Sequence, residues 1–134
     1  MILHTAPFDN VTHIAVPYGD AARTKLSRVQ ITRRYSGDAV GESSCELLLC
    51  QAANGTMAYA GTDHFVGKLN GRTGSFVYQH AGILEAGAFN GIGYVVPGSG
   101  TDELADLRGT AWVEVGAGGA HTLRIQEGAV LHRS

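Results

Sequence analysis

The chain has 134 residues, a formal net charge of −2 at pH 7 and 44% hydrophobic residues, which suits a single domain, 1–134, with a core of its own. That charge leaves no basic footprint for nucleic acid or an anionic membrane surface, and no apolar run reaches the length of a membrane span. The opening MILHTAPFDNVTHIAV lacks a charged segment followed by an apolar one, so no secretory signal is expected and the protein is expected to be cytoplasmic.

In chain order, a weak β-run over 12–18 comes first, followed by four long ones over 24–36, 39–53, 56–69 and 72–85. Shorter runs over 88–97, 109–116 and 120–126 complete the set. Gly37-Asp38, Asn54-Gly55, Asn70-Gly71 and Ala86-Gly87 stand between consecutive runs. Asn-Gly is the strongest short hairpin signal, because type I′ turns need positive φ at both central residues. Gly37-Asp38 fits a type II′ turn. Pro97-Gly98-Ser99-Gly100-Thr101 lacks the Gly-Lys-Ser/Thr ending of a phosphate loop. It predicts a tight turn in which Ser99 or Thr101 caps a short helical turn near 101–107. Leu104 and Leu107 on that turn would plug one mouth of the fold. Eight strands joined by hairpins predict an all-β, eight-stranded antiparallel β-barrel, since closure removes exposed sheet edges.

Two-residue turns also predict a register. Asn70-Gly71 sets Phe65 opposite Phe76 and Asp63 opposite Tyr78. Asn54-Gly55 sets Asp63 opposite Glu46 and Tyr59 opposite Cys50. Gly37-Asp38 sets Arg33 opposite Glu42, as a cross-strand ion pair near one barrel end, and Val29 opposite Glu46. One surface then carries Val29, Ile31, Arg33, Glu42, Ser44, Glu46, Leu48, Cys50, Tyr59, Asp63, Phe65, Phe76, Tyr78 and His80. It holds most of the aromatic area and is assigned to the interior. The other is basic and hydroxylic but has an apolar patch of Leu26, Leu47, Leu49, Ala60 and Ala81. That patch predicts a homo-oligomer, a dimer first, or cover by the N-terminal segment.

On the inward surface Glu46, Asp63 and Tyr78 share a row, with His80 one step away and flanked by Gly61 and Gly93. Facing carboxylates repel by about 3 kcal/mol at ~5 Å and an effective dielectric near 20. A proton shared between them beside a His and a Tyr would suit acid–base chemistry. Asp63, Glu46, His80 and Tyr78 are therefore the candidate catalytic set. Tyr59, Phe65, Phe76, Cys50, Leu48, Ser44, Tyr94 and Trp112 are the candidate ligand-lining set. The plain alternative is structural: Asp63 accepting from Tyr78, and Glu46 paired with Lys25 or an arginine. Cys45 and Cys50 fall on opposite faces of one strand and cannot pair with each other there. His4, His13, His121 and His132 show no metal-ligand spacing, so no metal or cofactor is expected.

Several stretches carry a family resemblance. They are Tyr35-Ser36-Gly37-Asp38 with Gly41-Glu42-Ser43, the Gly61, Phe65, Gly67 spacing, and Gly71-Arg72-Thr73-Gly74-Ser75-Phe76 with Gln79-His80. Val95-Val96-Pro97-Gly98-Ser99-Gly100-Thr101 with Glu103-Leu104 is the most specific. Over roughly 12–126 the chain resembles a bacterial domain-of-unknown-function family, whose barrel is similar to that of allene oxide cyclase. The resemblance implies a barrel related to cofactor-free cyclases, which fold a flexible substrate and exclude water. The chain departs from the family pattern at Asp102 and Asp106, where small residues are expected, and at Leu123-Arg124-Ile125-Gln126, which lacks closing tyrosines. The function expected is small-molecule binding. One version is a cofactor-free isomerase, cyclase or lyase acting on a small, partly apolar, polyketide- or lipid-like substrate. The alternatives are a non-catalytic carrier or sensor, and a structural assembly module with a filled interior.

Overall fold

The computed structural model describes residues 2–128; residues 1 and 129–134, His132 among them, lie outside the described residues. Eight strands close into an antiparallel ring in chain order. They are β1 (Ile2–Ala21), β2 (Thr24–Tyr35), β3 (Ala39–Gln51), β4 (Met57–Leu69), β5 (Arg72–Glu85), β6 (Ala88–Val95), β7 (Gly109–Val115) and β8 (His121–Glu127). The expected all-β barrel is the fold observed.

β1 is far longer than its sequence signal. Ile2–Phe8 pairs with β8, while Phe8–Ala21 pairs with β2, so this one strand closes the ring. Pro7 and Pro17 interrupt its pattern, and register shifts at Asn10/Thr12 and Pro17/Gly19 break its alternation. Bulges and prolines of this kind erase the period-two signal without ending the strand.

Two turns form as expected. Asn70 and Gly71 have φ of 48° and 81°, and Ala86 and Gly87 have 50° and 81°. These are type I′ turns, placing Leu69 opposite Arg72 and Glu85 opposite Ala88. The other two differ. At Asn54-Gly55 only Gly55 is left-handed, with φ 91°. Gly55 N donates to Ala52 O at 3.0 Å and Ala52 N to Thr56 O at 2.9 Å. This is a three-residue loop with a glycine bulge, and it shifts the register by one. At Gly37-Asp38 the turn amides bond β1 instead of the hairpin partner, Ser36 N to Pro7 O (2.9 Å) and Asp38 N to Thr5 O (3.1 Å). The hairpin therefore closes only at Tyr35 and Gly41, again one residue off. The two shifts fall on either side of β3 and add to a slip of two residues between β2 and β4, so that Ile31 rather than Val29 shares a row with Asp63 while the faces are preserved. β2, β4 and β5 keep their expected faces, and β3 alone is turned over, since one residue of slip exchanges the faces of a strand.

The consequences for β3 are direct. Cys45, not Glu46, faces Asp63, and Leu49, not Cys50, faces Tyr59. Arg33 faces Ser43, and Glu42 pairs with Arg34 on the outside at 3.1 Å. Leu47 is buried within the barrel and Leu49 packs beside it, so the expected exterior patch loses both, while Leu26, Ala60 and Ala81 keep the outward phase. On the outer face Ile14, Leu48, Ala60, Ala81 and Ile92 are apolar members of the lining of a broad depression of about 1340 Å³.

One half of the interior is packed solid. Tyr35, Phe65, Phe76, Tyr78 and Val95 meet Leu104 and Leu107 of the plug, with Ala111, Leu123 and Ile125 beyond. Tyr35 meets Phe65 edge-on at 5.2 Å between ring centroids, a favourable quadrupole arrangement. The plug is a 3-10 turn at Asp102–Leu104 without a side-chain cap. Thr101 Oγ1 instead accepts from Ser75 N at 3.0 Å, and Ser99 Oγ from Val77 N at 3.0 Å, fastening the plug to β5. Near the end of β8, Glu127 accepts both terminal nitrogens of Arg72 at 2.9 and 2.7 Å and bonds His4 at 2.7 Å. That clasp ties β1, β5 and β8 together.

The β1–β2 turn carries strain that can be tested. Ala22 and Arg23 both have positive φ, 48° and 68°, and neither residue favours that region. Replacing the pair by the Asn-Gly of a preferred type I′ turn (Ala22→Asn with Arg23→Gly) is expected to add about 1 kcal/mol. That corresponds to a rise of roughly 4 °C in the thermal unfolding midpoint. An unchanged or lower midpoint contradicts the turn geometry.

Candidate functional site

The other half of the interior is open. A pocket of about 290 Å³ reaches in from the barrel mouth, lined by Val29, Ile31, Leu47, Leu49, Tyr59 and Phe89, with Arg33 and His121 among its polar members. Its wall depends on a close approach across β5. A Cβ on Gly82 would stand 2.5 Å from Phe89 Cζ and 2.7 Å from Tyr59 Cε1, so the absence of a side chain lets both rings lie over that strand. Tyr59 and Phe89 stack there at 6.4 Å. Gly61 and Gly93 flank His80 as expected. The room over Gly61 is taken by Leu47, whose Cβ lies 2.7 Å from where a Cβ would be.

Between the packed and open halves lies a buried polar network centred on Asp63. Its carboxylate and the His80 ring have no solvent exposure. Ser43 Oγ donates to Oδ1 at 2.7 Å, and His80 Nε2 donates to Oδ2 at 2.7 Å. Tyr35 OH lies 2.6 Å from Ser43 Oγ and 2.6 Å from Tyr78 OH. Since Ser43 gives its proton to Asp63, Tyr35 donates to Ser43 and Tyr78 to Tyr35. On the other side Tyr59 OH lies 2.7 Å from His80 Nδ1. With Nε2 protonated, Nδ1 is the acceptor and Tyr59 the donor. Every proton in the chain thus points toward one acceptor.

Arg33 completes it. Its Nε lies 3.3 Å from Asp63 Oδ1, Nη2 donates to Cys45 Sγ at 3.2 Å, and the guanidinium sits 4.8 Å over the Phe8 ring. Burial works against the Asp63 carboxylate. The His80 hydrogen bond, the Arg33 charge and the Ser43 bond outweigh it and hold the carboxyl below its ordinary range. Burial, reinforced by the Asp63 charge, raises the Cys45 thiol to about 12 and pushes Tyr35 and Tyr59 well up. Burial and the neighbouring Tyr35 and Asp63 do the same to Tyr78. These groups are neutral donors at pH 7. At roughly 4 Å and an effective dielectric near 20, an ion pair gains about 4 kcal/mol. Desolvation costs several kcal/mol per ion, so the Arg33–Asp63 pair is close to break-even and depends on the hydrogen bonds around it.

Cys45, Asp63 and His80 each offer a ligand atom within 4.8 Å of the others. The donor set does not suit a metal ion. The cysteine remains a thiol, both histidine nitrogens are engaged, and a guanidinium lies beside two of the three groups. A thiolate and a free imidazole lone pair are what such a centre requires.

Of the residues expected from sequence, Asp63, His80 and Tyr59 come together here. Tyr78 faces Asp63 across the ladder as expected and its ring lies 5.0 Å from that of His80, but its hydroxyl turns to the packed half and bonds toward Asp63 only through Tyr35 and Ser43; Phe65 and Phe76 are core residues with no exposure. Glu46, Ser44, Leu48 and Cys50 face outward with the turned β3, and Glu46 pairs with Arg28 at 3.4 Å. The shared-proton dyad therefore does not form. Tyr94 lines the outer depression, bonding Gln79 at 2.8 Å. Trp112 alternates outward between buried Ala111 and Val113 and bonds Glu114 at 3.1 Å. Ser43, Cys45, Tyr35, Leu47 and Phe89 were not expected at the site. Arg33 was placed inward, with Glu42 as its partner. The available signal was its phase with Val29 and Ile31 on β2.

The chain matches the family model described as a protein of unknown function, DUF3224, over residues 5–126. None of the curated proteins matches it. A solved structure from Shewanella oneidensis MR-1, a DUF3224-family protein of unknown function, is similar over 98% of this chain and 99% of its own. The identity is 30% and the TM-score 0.81. Fold, length and matched residues agree, and the chain belongs to the DUF3224 family.

Proposed function

We propose that the protein binds a compact, partly apolar small molecule in the open half of its barrel and exchanges a proton with it through Tyr59, His80 and Asp63. The observation carrying this reading is the continuous path from the pocket wall to a buried carboxylate, with 2.7 Å at each of its two links. At ~30 Å³ per water-sized unit the pocket takes on the order of ten heavy atoms, at the lower end of ligand sites.

Tyr59 is the group that meets the ligand. Its proton is directed at His80, so its oxygen lone pairs are free toward the pocket. A ligand O–H or activated C–H gives its proton to the Tyr59 oxygen as Tyr59 passes its own to His80 Nδ1. Tyr59 is neutral before and after. The imidazolium formed rests against ionised Asp63, and the reverse sequence returns the proton elsewhere on the ligand. That is the chemistry of a cofactor-free isomerase, cyclase or lyase. The expected likeness to allene oxide cyclase barrels supports it only as fold analogy.

Two expectations test this. Aryl and cyclic ketones of about ten heavy atoms, observed by NMR in D2O, are expected to bind and exchange their α-protons faster with protein than without. Tyr59→Phe and His80→Gln should lower that exchange by about 10²-fold with binding retained. Binding without accelerated exchange favours the carrier reading, and no binding across the panel removes the proposal.

The second concerns pH. The folded pKa of Asp63 lies below its unfolded value, so its contribution to stability is present above about pH 4 and is lost as pH falls through the folded pKa. Urea midpoints at pH 7, 4 and 3 should drop on the acid side in the natural protein. Asp63→Asn should flatten that drop while costing about 3–5 kcal/mol at pH 7, because Arg33 loses its counter-charge. An unaltered acid slope in the variant would show that Asp63 is not the titrating group.

A further inference from the structure

The proton path says nothing of what holds the ligand in register with it, and Arg33 supplies an answer. Its side chain is only 5% exposed, yet its hydrogen bonding is poor. Among the described residues Nε is buried without a hydrogen-bond partner. The Asp63 oxygens nearest it are engaged by Ser43 and His80. The bond it does make, from Nη2, goes to a neutral thiol sulfur, a weak acceptor. A guanidinium has five N–H donors in a planar fork, and leaving buried donors unmet is costly. This one lines the pocket.

The rest of the lining sharpens the choice of acceptor. Among the described residues it contains no aspartate or glutamate and no lysine or second arginine, and its body is Val29, Ile31, Leu47, Leu49 and Phe89. An anion entering would meet one cation in the lining; the nearest like charge, Asp63, lies outside the lining, 3.3 Å from Arg33 Nε, and is itself bonded by Ser43 and His80. The field of that cation reaches the rim. His121 is pushed down first by burial and then by Arg33, which keeps it a neutral hydrogen-bonding group.

We infer that the ligand is a compact carboxylate with an apolar body, its carboxylate seated on the Arg33 guanidinium and its reactive portion against Tyr59. The inference rests on the binding reading above and deepens it by naming the ligand class. The carboxylate accepts from the terminal N–H groups that remain after Nε turns to Asp63 and Nη2 gives one bond to Cys45, in the bidentate geometry that suits a guanidinium. The side chains of Val29, Leu47 and Phe89 take the body.

The test compares cinnamate and benzoate with their uncharged amides, binding measured by calorimetry and located by NMR shifts of Leu47 and Tyr59. In the natural protein each acid should bind at least tenfold more tightly than its amide. In Arg33→Lys, which keeps the charge but loses the fork, acid affinity should fall about tenfold while amide affinity changes less than twofold. Acids and amides binding equally well would overturn the inference and leave the binding reading standing. So would Arg33→Lys weakening both alike. Neither class binding would overturn both. The acid–amide comparison needs no variant, so it decides the matter even where Arg33→Lys does not fold.

Discussion

A carboxylate with no access to solvent is the constraint around which this barrel is arranged. An ionised Asp63 in the interior is tolerable only if donors converge on it, and the fold delivers them from three strands. Arg33 comes from β2, Ser43 from β3, and His80 from β5, while Asp63 itself stands on β4. Tyr35 and Tyr78 extend the convergence into the packed half and Tyr59 carries it to the pocket. A network of this kind is all-or-nothing. Satisfied, it fixes each ring and tautomer; with one member missing, a buried charge or lone pair is exposed to an apolar interior. The direction of its hydrogen bonds follows from one acceptor, and the neutrality of the surrounding tyrosines and thiol follows from the same burial that makes the acceptor costly.

The division of the interior into a solid and an open half has an equally simple basis. Toward the plugged end the inward positions of β2, β4 and β5 are Tyr35, Phe65 and Phe76, and Leu104 and Leu107 seal the space above them. Toward the other end the inward positions include Gly61, Gly82, Gly91 and Gly93. An eight-stranded barrel is just wide enough for side chains to fill. Filled by rings and sealed by the plug at one end, and with Tyr59 and Phe89 lying back over Gly82 at the other, the barrel holds a core and a pocket within one wall. Asp63 and His80 sit where the two regimes meet, buried enough to be held rigidly and one ring away from a space a ligand can enter.

Much of this was legible in the sequence, and the failures have one local cause. The turn pairs Asn70-Gly71 and Ala86-Gly87 dictated the registers of β4, β5 and β6, and with them the meeting of Asp63, His80 and the glycines beside it. Asn54-Gly55 looks the same in sequence, yet adopts a three-residue loop because Ala53 joins the turn. Gly37-Asp38 spends its amides on β1, a strand whose prolines and bulges hide it. Neither choice is written in the dipeptide itself. Each moves β3 by a single residue, and a single residue is enough to exchange Cys45 and Leu47 for Glu46 and Leu48. The charge pattern held a warning. With β3 in the expected phase two carboxylates oppose each other and Arg33 lies beside Glu42; in the observed phase Asp63 meets Arg33 and the glutamates meet Arg28 and Arg34 outside. Like charges facing across a ladder are unfavourable, so the two phases could have been ranked on electrostatics alone.

The identity of the group that ends the chain matters for how the pocket behaves. Had His80 itself faced the ligand, each proton taken up would place a new positive charge at the pocket wall. With Tyr59 interposed, the proposed exchange would place the charge one ring deeper, against Asp63, and add none at the wall. The electrostatics seen by a bound molecule are then set by Arg33, whose own charge cannot titrate in the working range. In the proposed function, holding and proton exchange fall to separate groups that share a single counter-charge. Asp63 balances the guanidinium in the structure and, in the proposed exchange, would balance the imidazolium as well. The geometry that makes this sharing possible is the placement of both partners on the same carboxylate, Arg33 at Oδ1 and His80 at Oδ2.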